Sequence, residues 1–149
     1  MFPDPRVIDF VTANFVPVRV HVKDDKDAFE KLGDRFDAHW TPTTLILDST
    51  GTEQHRIEGF LPADDFLSQL WLGVATAAFA RKDYAKAEKL YRDVVERFPD
   101  TDAAPEAQYW TGVSRYRATN DAGALKATGK AFDERYQDST WAKKASVWK

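Results

Sequence analysis

The sequence predicts a mixed α/β unit followed by an all-α unit, on three observations. Residues 1 to 62 mix a period-two stretch with short helical stretches, everything beyond Pro62 reads as helix and turn, and the second part nearly repeats itself at an offset of 38 residues. A chain of 149 residues with 43% hydrophobic content and 13% aromatics carries enough apolar surface for one good core or two modest ones. The expected order of elements in the first unit is α-β-α-β-β-α, with three strands.

Pro5 suits the first turn of a helix, and Val7, Phe10 and Val11 carry that helix to Asn14. Val16, Val18, Val20 and Val22 alternate with Pro17, Arg19, His21 and Lys23, which predicts a strand, and Pro17 assigns it to an edge because it has no N–H to donate. Phe29, Leu32 and Phe36 recur at helical spacing across residues 26–37. Residues 43–48 read as the next strand, Ser49-Thr50-Gly51 as a hairpin turn and residues 52–58 as the antiparallel partner. Gly59 ends it, and Pro62 opens a helix with Phe66, Leu67 and Leu70 on its buried stripe.

Beyond Pro62 the repeat pairs Glu96-Arg97-Phe98 with Glu134-Arg135-Tyr136, Asp100-Thr101 with Asp138-Ser139, and Ala104, Ala107 and Trp110 with Ala142, Ala145 and Trp148. Five helices are expected, over about 63–81, 84–98, 102–119, 121–136 and 139–148. Thr101 and Ser139 are candidate N-caps. Small residues at Gly112, Ala124 and Ala131 mark close approach of the second pair of helices.

Composition excludes several function classes. Up to Pro62 there are 7 basic and 11 acidic residues, and beyond it 14 and 13, so neither half carries the charge excess of a nucleic-acid binder. The longest apolar stretches fall far short of the ~20 residues that span a bilayer. Residues 1–5 carry no export signal, which makes the cytoplasm the default compartment. With no cysteine the chain has neither thiolate chemistry nor thiolate metal ligands. His21, His39 and His55 lack metal-ligand spacing, and Asp24-Asp25 and Asp64-Asp65 read as a solvated loop and a first helical turn. There is no Gly-rich phosphate loop, nucleophile elbow or dinucleotide fingerprint. No catalytic residue, metal site or cofactor is expected.

The order of elements, with Phe2-Pro3-Asp4-Pro5-Arg6-Val7, Phe15-Val16-Pro17-Val18, Trp40-Thr41-Pro42-Thr43 and Gly59-Phe60-Leu61, resembles the C-terminal two thirds of a thioredoxin-like domain over roughly residues 2–70. That resemblance implies a partial thioredoxin-like fold lacking the central strand and Cys-x-x-Cys, with Met1 falling part-way along the first family helix. It also implies open edges on residues 16–22 and 43–48. These close on each other, accept a strand from a second chain, or stay loose. In the family, the residue before the proline, here Thr41, pairs with an extended peptide, so Thr41 and Pro42 are candidate peptide contacts.

The spacing Trp71-x2-Val74-Ala75-x2-Ala78, then Ala87-x3-Tyr91, then Pro99, is similar to a tetratricopeptide repeat, with Ala78 replacing an aromatic. The domains implied are an incomplete thioredoxin-like subdomain at 1–62 and tetratricopeptide-like repeats at 63–149, divided as 63–99, 100–137 and a capping helix 139–148. Such arrays hold peptides, and Lys82, Arg115, Arg117 and Asn120 are the polar candidates. The aromatics Trp71, Tyr91, Tyr109, Trp110 and Tyr116 read as packing. The function expected is a non-catalytic protein-interaction module with a protein or peptide partner. The alternatives are a shortened thiol-disulfide oxidoreductase whose Cys-x-x-Cys lies upstream of Met1, and a self-associating module paired through its sheet edges.

Overall fold

The computed structural model describes residues 4–149. The first helix, α1, runs over Pro5–Asn14, with proline in its first turn and the Asp4 carboxylate accepting from the Arg6 N–H. Helix α2 covers Lys26–Phe36 and ends on Asp37 in the left-handed region at φ 51°. Arg56 holds that end by donating to the Phe36 and Asp37 carbonyls, which completes acceptors a helix terminus leaves open.

Strands β1 (Thr43–Leu47) and β2 (Glu53–Glu58) form an antiparallel hairpin in which Thr44 faces Ile57 and Ile46 faces His55, with an irregularity after Ile46. Asp48 shapes the turn. Its carboxylate accepts from the Thr50 and Thr52 N–H groups and the Thr50 hydroxyl, and these bonds, with the hydroxyl's the strongest, hold its pKa down at about 2. Gly51 supplies the positive φ of +82° that the turn requires.

The strand expected over residues 16–22 does not form, and among the described residues the sheet has two strands, not three. Val16 and Val18 are 92% and 82% exposed. Period-two valines make a strand only when a neighbour takes their backbone hydrogen bonds, and β1 pairs with β2 alone. Alternation therefore reported a propensity that the tertiary fold leaves unused.

Five helical segments follow, with ends within about two residues of those expected: α3 (Ala63–Ala80), α4 (Tyr84–Arg97), α5 (Ala103–Thr119), α6 (Gly123–Glu134) and α7 (Thr140–Ala145). The last one tightens into a 3-10 turn over Ser146–Trp148 instead of continuing as α-helix. Ser139 caps α7 by accepting from the Ala142 N–H at 3.1 Å. Thr101 does not act as an N-cap, because its hydroxyl turns back to donate to the Phe98 carbonyl at 2.8 Å and Asp102 takes the cap position.

Two cores meet on α3. Val7, Ile46, Ile57, Phe66, Leu67, Leu70 and Phe98 form one beneath the hairpin, and Leu72, Ala75, Ala78, Ala87, Tyr91, Val94, Ala103 and Ala107 form the other between α3, α4 and α5. Trp71 packs against both, stacking on Phe10 with centroids 4.9 Å apart. Ala75, Ala78 and Ala87 are completely buried, so the small residues of the repeat pattern are where helix backbones approach most closely. The two segments related by the 38-residue offset are tied by Tyr136, the counterpart of Phe98, whose hydroxyl donates to the Pro99 carbonyl at 2.6 Å.

Candidate peptide-binding surface

Helices α3, α5 and α7 lie side by side, since α5 packs against α3 on one flank and α7 on the other. The face they share begins at the hairpin, where His55 of β2 meets Gln69 of α3 through Nε2 and Oε1, 2.7 Å apart. Gly73 permits this arrangement, because a Cβ there would meet Ile46 and His55. One turn further along α3, Thr76 and the phenol of Tyr91 share a hydrogen bond of 3.0 Å. Burial pushes the Tyr91 pKa up to about 12 against the lowering effect of that bond.

Glu106 sits in the first turn of α5, partly buried on this face. Burial raises its pKa, and only the charges of His55 and Lys144 pull it back. Among the described residues no hydrogen bond or ion pair reaches its carboxylate. A carboxylate in this state keeps part of its water and has gained no protein donor, so ionising it costs more than in free solution.

Three and four residues on, Tyr109 and Trp110 continue the same side of α5. Tyr109 stacks on Trp148 with centroids 4.8 Å apart and lies 5.2 Å from Trp141. Trp110 reaches inward to Phe79 and Tyr91. The Lys144 ammonium lies 4.0 Å from the centroid of the Trp141 ring. These aromatics are partly exposed, so they present a ring surface on the helix face that also carries Glu106.

The residues singled out from the sequence occupy other places. Thr41 and Pro42 lie in the loop before β1, joined by a cis peptide bond, with the Pro42 carbonyl accepting from Gly59 N–H at 2.8 Å. Trp40 beside them is 71% exposed. Lys82 and Asn120 have positive φ in the turns after α3 and α5. Arg117 lies over the Tyr84 ring and donates to its hydroxyl at 2.8 Å, joining those turns at one end of the array. Arg115 lies 3.8 Å from Glu88, in a groove of about 670 Å³ between α4, α5 and α6. The structure brings Lys82, Arg117 and Asn120 to one end, Arg115 to the back and Thr41-Pro42 to the hairpin unit, so these six form no single site.

The sequence reading missed Gln69, Thr76, Glu106, Trp141 and Lys144 as a group. The available signal was the Glu106–Tyr109 spacing on one helical face, with the tryptophans of the last segment. Among the described residues no cluster of three or more His, Asp or Glu is placed to hold a metal ion, and no helix is long and apolar enough to cross a membrane.

Residues 1–71 match the family model of a thioredoxin-like domain, and residues 68–101 match that of a tetratricopeptide repeat. The two matches follow one another along the chain, and their overlap falls on α3, the helix that both cores share. No curated protein and no solved structure matches it.

Proposed function

We propose that the chain is a non-catalytic protein-interaction module that receives a peptide segment on the face made by α3, α5 and α7. The observation that carries this reading is the partly exposed ring cluster of Tyr109 on α5, Trp141 on α7 and Trp148 in the turn after it, on the face that also carries polar groups from β2, α3 and α4. Aromatic side chains supply large contact area at low conformational cost, and stacked repeats hold them in fixed positions. Thiol exchange is not part of the reading, because the chain has no sulfur nucleophile.

The test is an NMR titration with peptides selected from a random nine-residue library. The indole N–H signals of Trp110, Trp141 and Trp148 are expected to shift, while that of Trp40 stays. Movement of Trp40 alone would transfer the contact to the Thr41-Pro42 loop and overturn the assignment of the face.

A second reading rests on the outer edge of β1, which pairs with no strand among the described residues, and on the exposed side chains of Val16, Val18 and Trp40. On that reading copies associate through this edge. Sedimentation over a range of concentrations separates the two: a monomer throughout leaves the helical face as the interaction surface.

A further inference from the structure

We propose that the α3–α5–α7 face selects segments bearing a lysine or arginine side chain, whose cation docks against Glu106 beside the Tyr109–Trp141 rings. This rests on the peptide-binding reading and names the chemistry of the partner. Charge complementarity carries it. The Glu106 side chain is half-buried, and among the described residues no donor bonds its carboxylate, so its acceptor sites are open to whatever occupies the face.

The local cations do not fill that role. His55 spends its Nε2 on Gln69, and Lys144 rests on the Trp141 ring. Each acts on Glu106 through space without a hydrogen bond. The position of Lys144 also shows that this ring surface accommodates an ammonium group, since its Nζ sits 4.0 Å from the ring centroid. An incoming ammonium or guanidinium therefore meets an acid that needs donors and rings whose faces are negative.

Other occupants are disfavoured by the same groups. An acidic side chain would meet the Glu106 charge at close range in a partly dehydrated site, where like charges repel strongly. A wholly apolar segment would cover the carboxylate and remove its remaining water without supplying a donor. Net charge does not decide the matter, because the chain as a whole carries only −3.

The experiment uses the full chain and two mixtures of fluorescein-labelled nine-residue peptides, randomised without cysteine except at the central position, which is lysine in one and glutamate in the other. Anisotropy at ~0.15 M salt is expected to show the lysine mixture binding about tenfold more tightly, the size of one charge-assisted hydrogen bond. Glu106→Gln keeps the shape and removes the charge, and it is expected to bring the two mixtures within about twofold. Glu96→Gln, which makes the same charge change in the groove behind α5, is expected to leave the preference intact. Thermal melts establish that both variants are folded. Binding without a lysine preference, or a preference that survives Glu106→Gln, overturns this inference and leaves the peptide-binding reading standing. Absence of binding by either mixture overturns both.

Discussion

Replacing Gly112 with alanine tests the packing of the second repeat. A Cβ at this position would stand 1.8 Å from Thr128 Oγ1, 2.7 Å from its Cβ and 2.9 Å from its Cγ2. The Cβ of Thr128 is fixed by the helix backbone, so no side-chain rotation relieves the overlap and α5 and α6 must separate. The Thr128 hydroxyl is further held by its bond to the Ala124 carbonyl at 2.8 Å. Overpacking of this kind costs about 1–3 kcal/mol, and the unavoidable Cβ overlap places it in the upper part of that range. Alanine recovers ~1 kcal/mol of helix propensity over glycine, leaving a net loss of about 1–2 kcal/mol. At ~2.1 cal/mol/K per residue the unfolding entropy of the whole chain is roughly 0.3 kcal/mol/K, so Tm should fall by about 3–6 °C. Differential scanning calorimetry reads this directly. The double variant Gly112→Ala, Thr128→Gly moves the missing side chain across the interface and should show a favourable coupling of about 1 kcal/mol in a double-mutant cycle. A Gly112→Ala protein as stable as the parent, or additive behaviour in the cycle, would refute the close approach of the two helices.

Three further outcomes are expected. Glu106→Gln should raise Tm at pH 7.5: burial raises the folded-state pKa above its unfolded value of ~4.5, so the ionised group opposes folding at neutral pH, and the gain should fade as pH falls through the unfolded value and vanish by about pH 3, where both states are protonated. Tyr91→Phe should cost ~1 kcal/mol through loss of the Thr76 bond, read by urea denaturation. With Tyr91 at about 12 against an unfolded value of ~10, the parent should lose stability as pH rises from 10 to 12, a limb that is shallower in the phenylalanine variant, where Tyr136 keeps its own contribution; an unchanged alkaline limb would show that Tyr91 ionises freely in the folded state. In an insulin-reduction assay with a dithiol, the chain should give the background rate, and turnover above it would contradict the non-catalytic reading.

Much of the fold is legible in residue order. Pro5 and Asp4 start α1, Gly51 and Asp48 fix the hairpin turn, and Ser139 caps α7, each through bonds between residues a few positions apart. The alanines at 75, 78 and 87 and the glycine at 112 mark helix contacts because only small side chains let two backbones come close. The valine alternation misled for the complementary reason, since a strand depends on a neighbour that local sequence does not contain.

The candidate site was hidden more deeply. Lys82, Arg115, Arg117 and Asn120 attract attention as polar residues near repeat ends; Lys82 and Asn120 lie in turns, Arg117 donates to Tyr84, and Arg115 faces Glu88 on the back, so the structure does not bring the four together. Glu106 reads in sequence as an ordinary acid in a first helical turn. Its character comes from burial first and then from the charges of His55 and Lys144, which lie far from it in the chain.

Residue order by itself determined the helices of the array, the hairpin, the loss of sulfur chemistry and the small-residue contacts, because these follow from spacing, local hydrogen bonding and composition. The tertiary structure alone decided that residues 16–22 join no strand among the described residues, that α3 serves two cores, and that a half-buried carboxylate shares a helix face with aromatic rings. Those outcomes depend on which distant groups fold together, and desolvation and pairing exist only once they have.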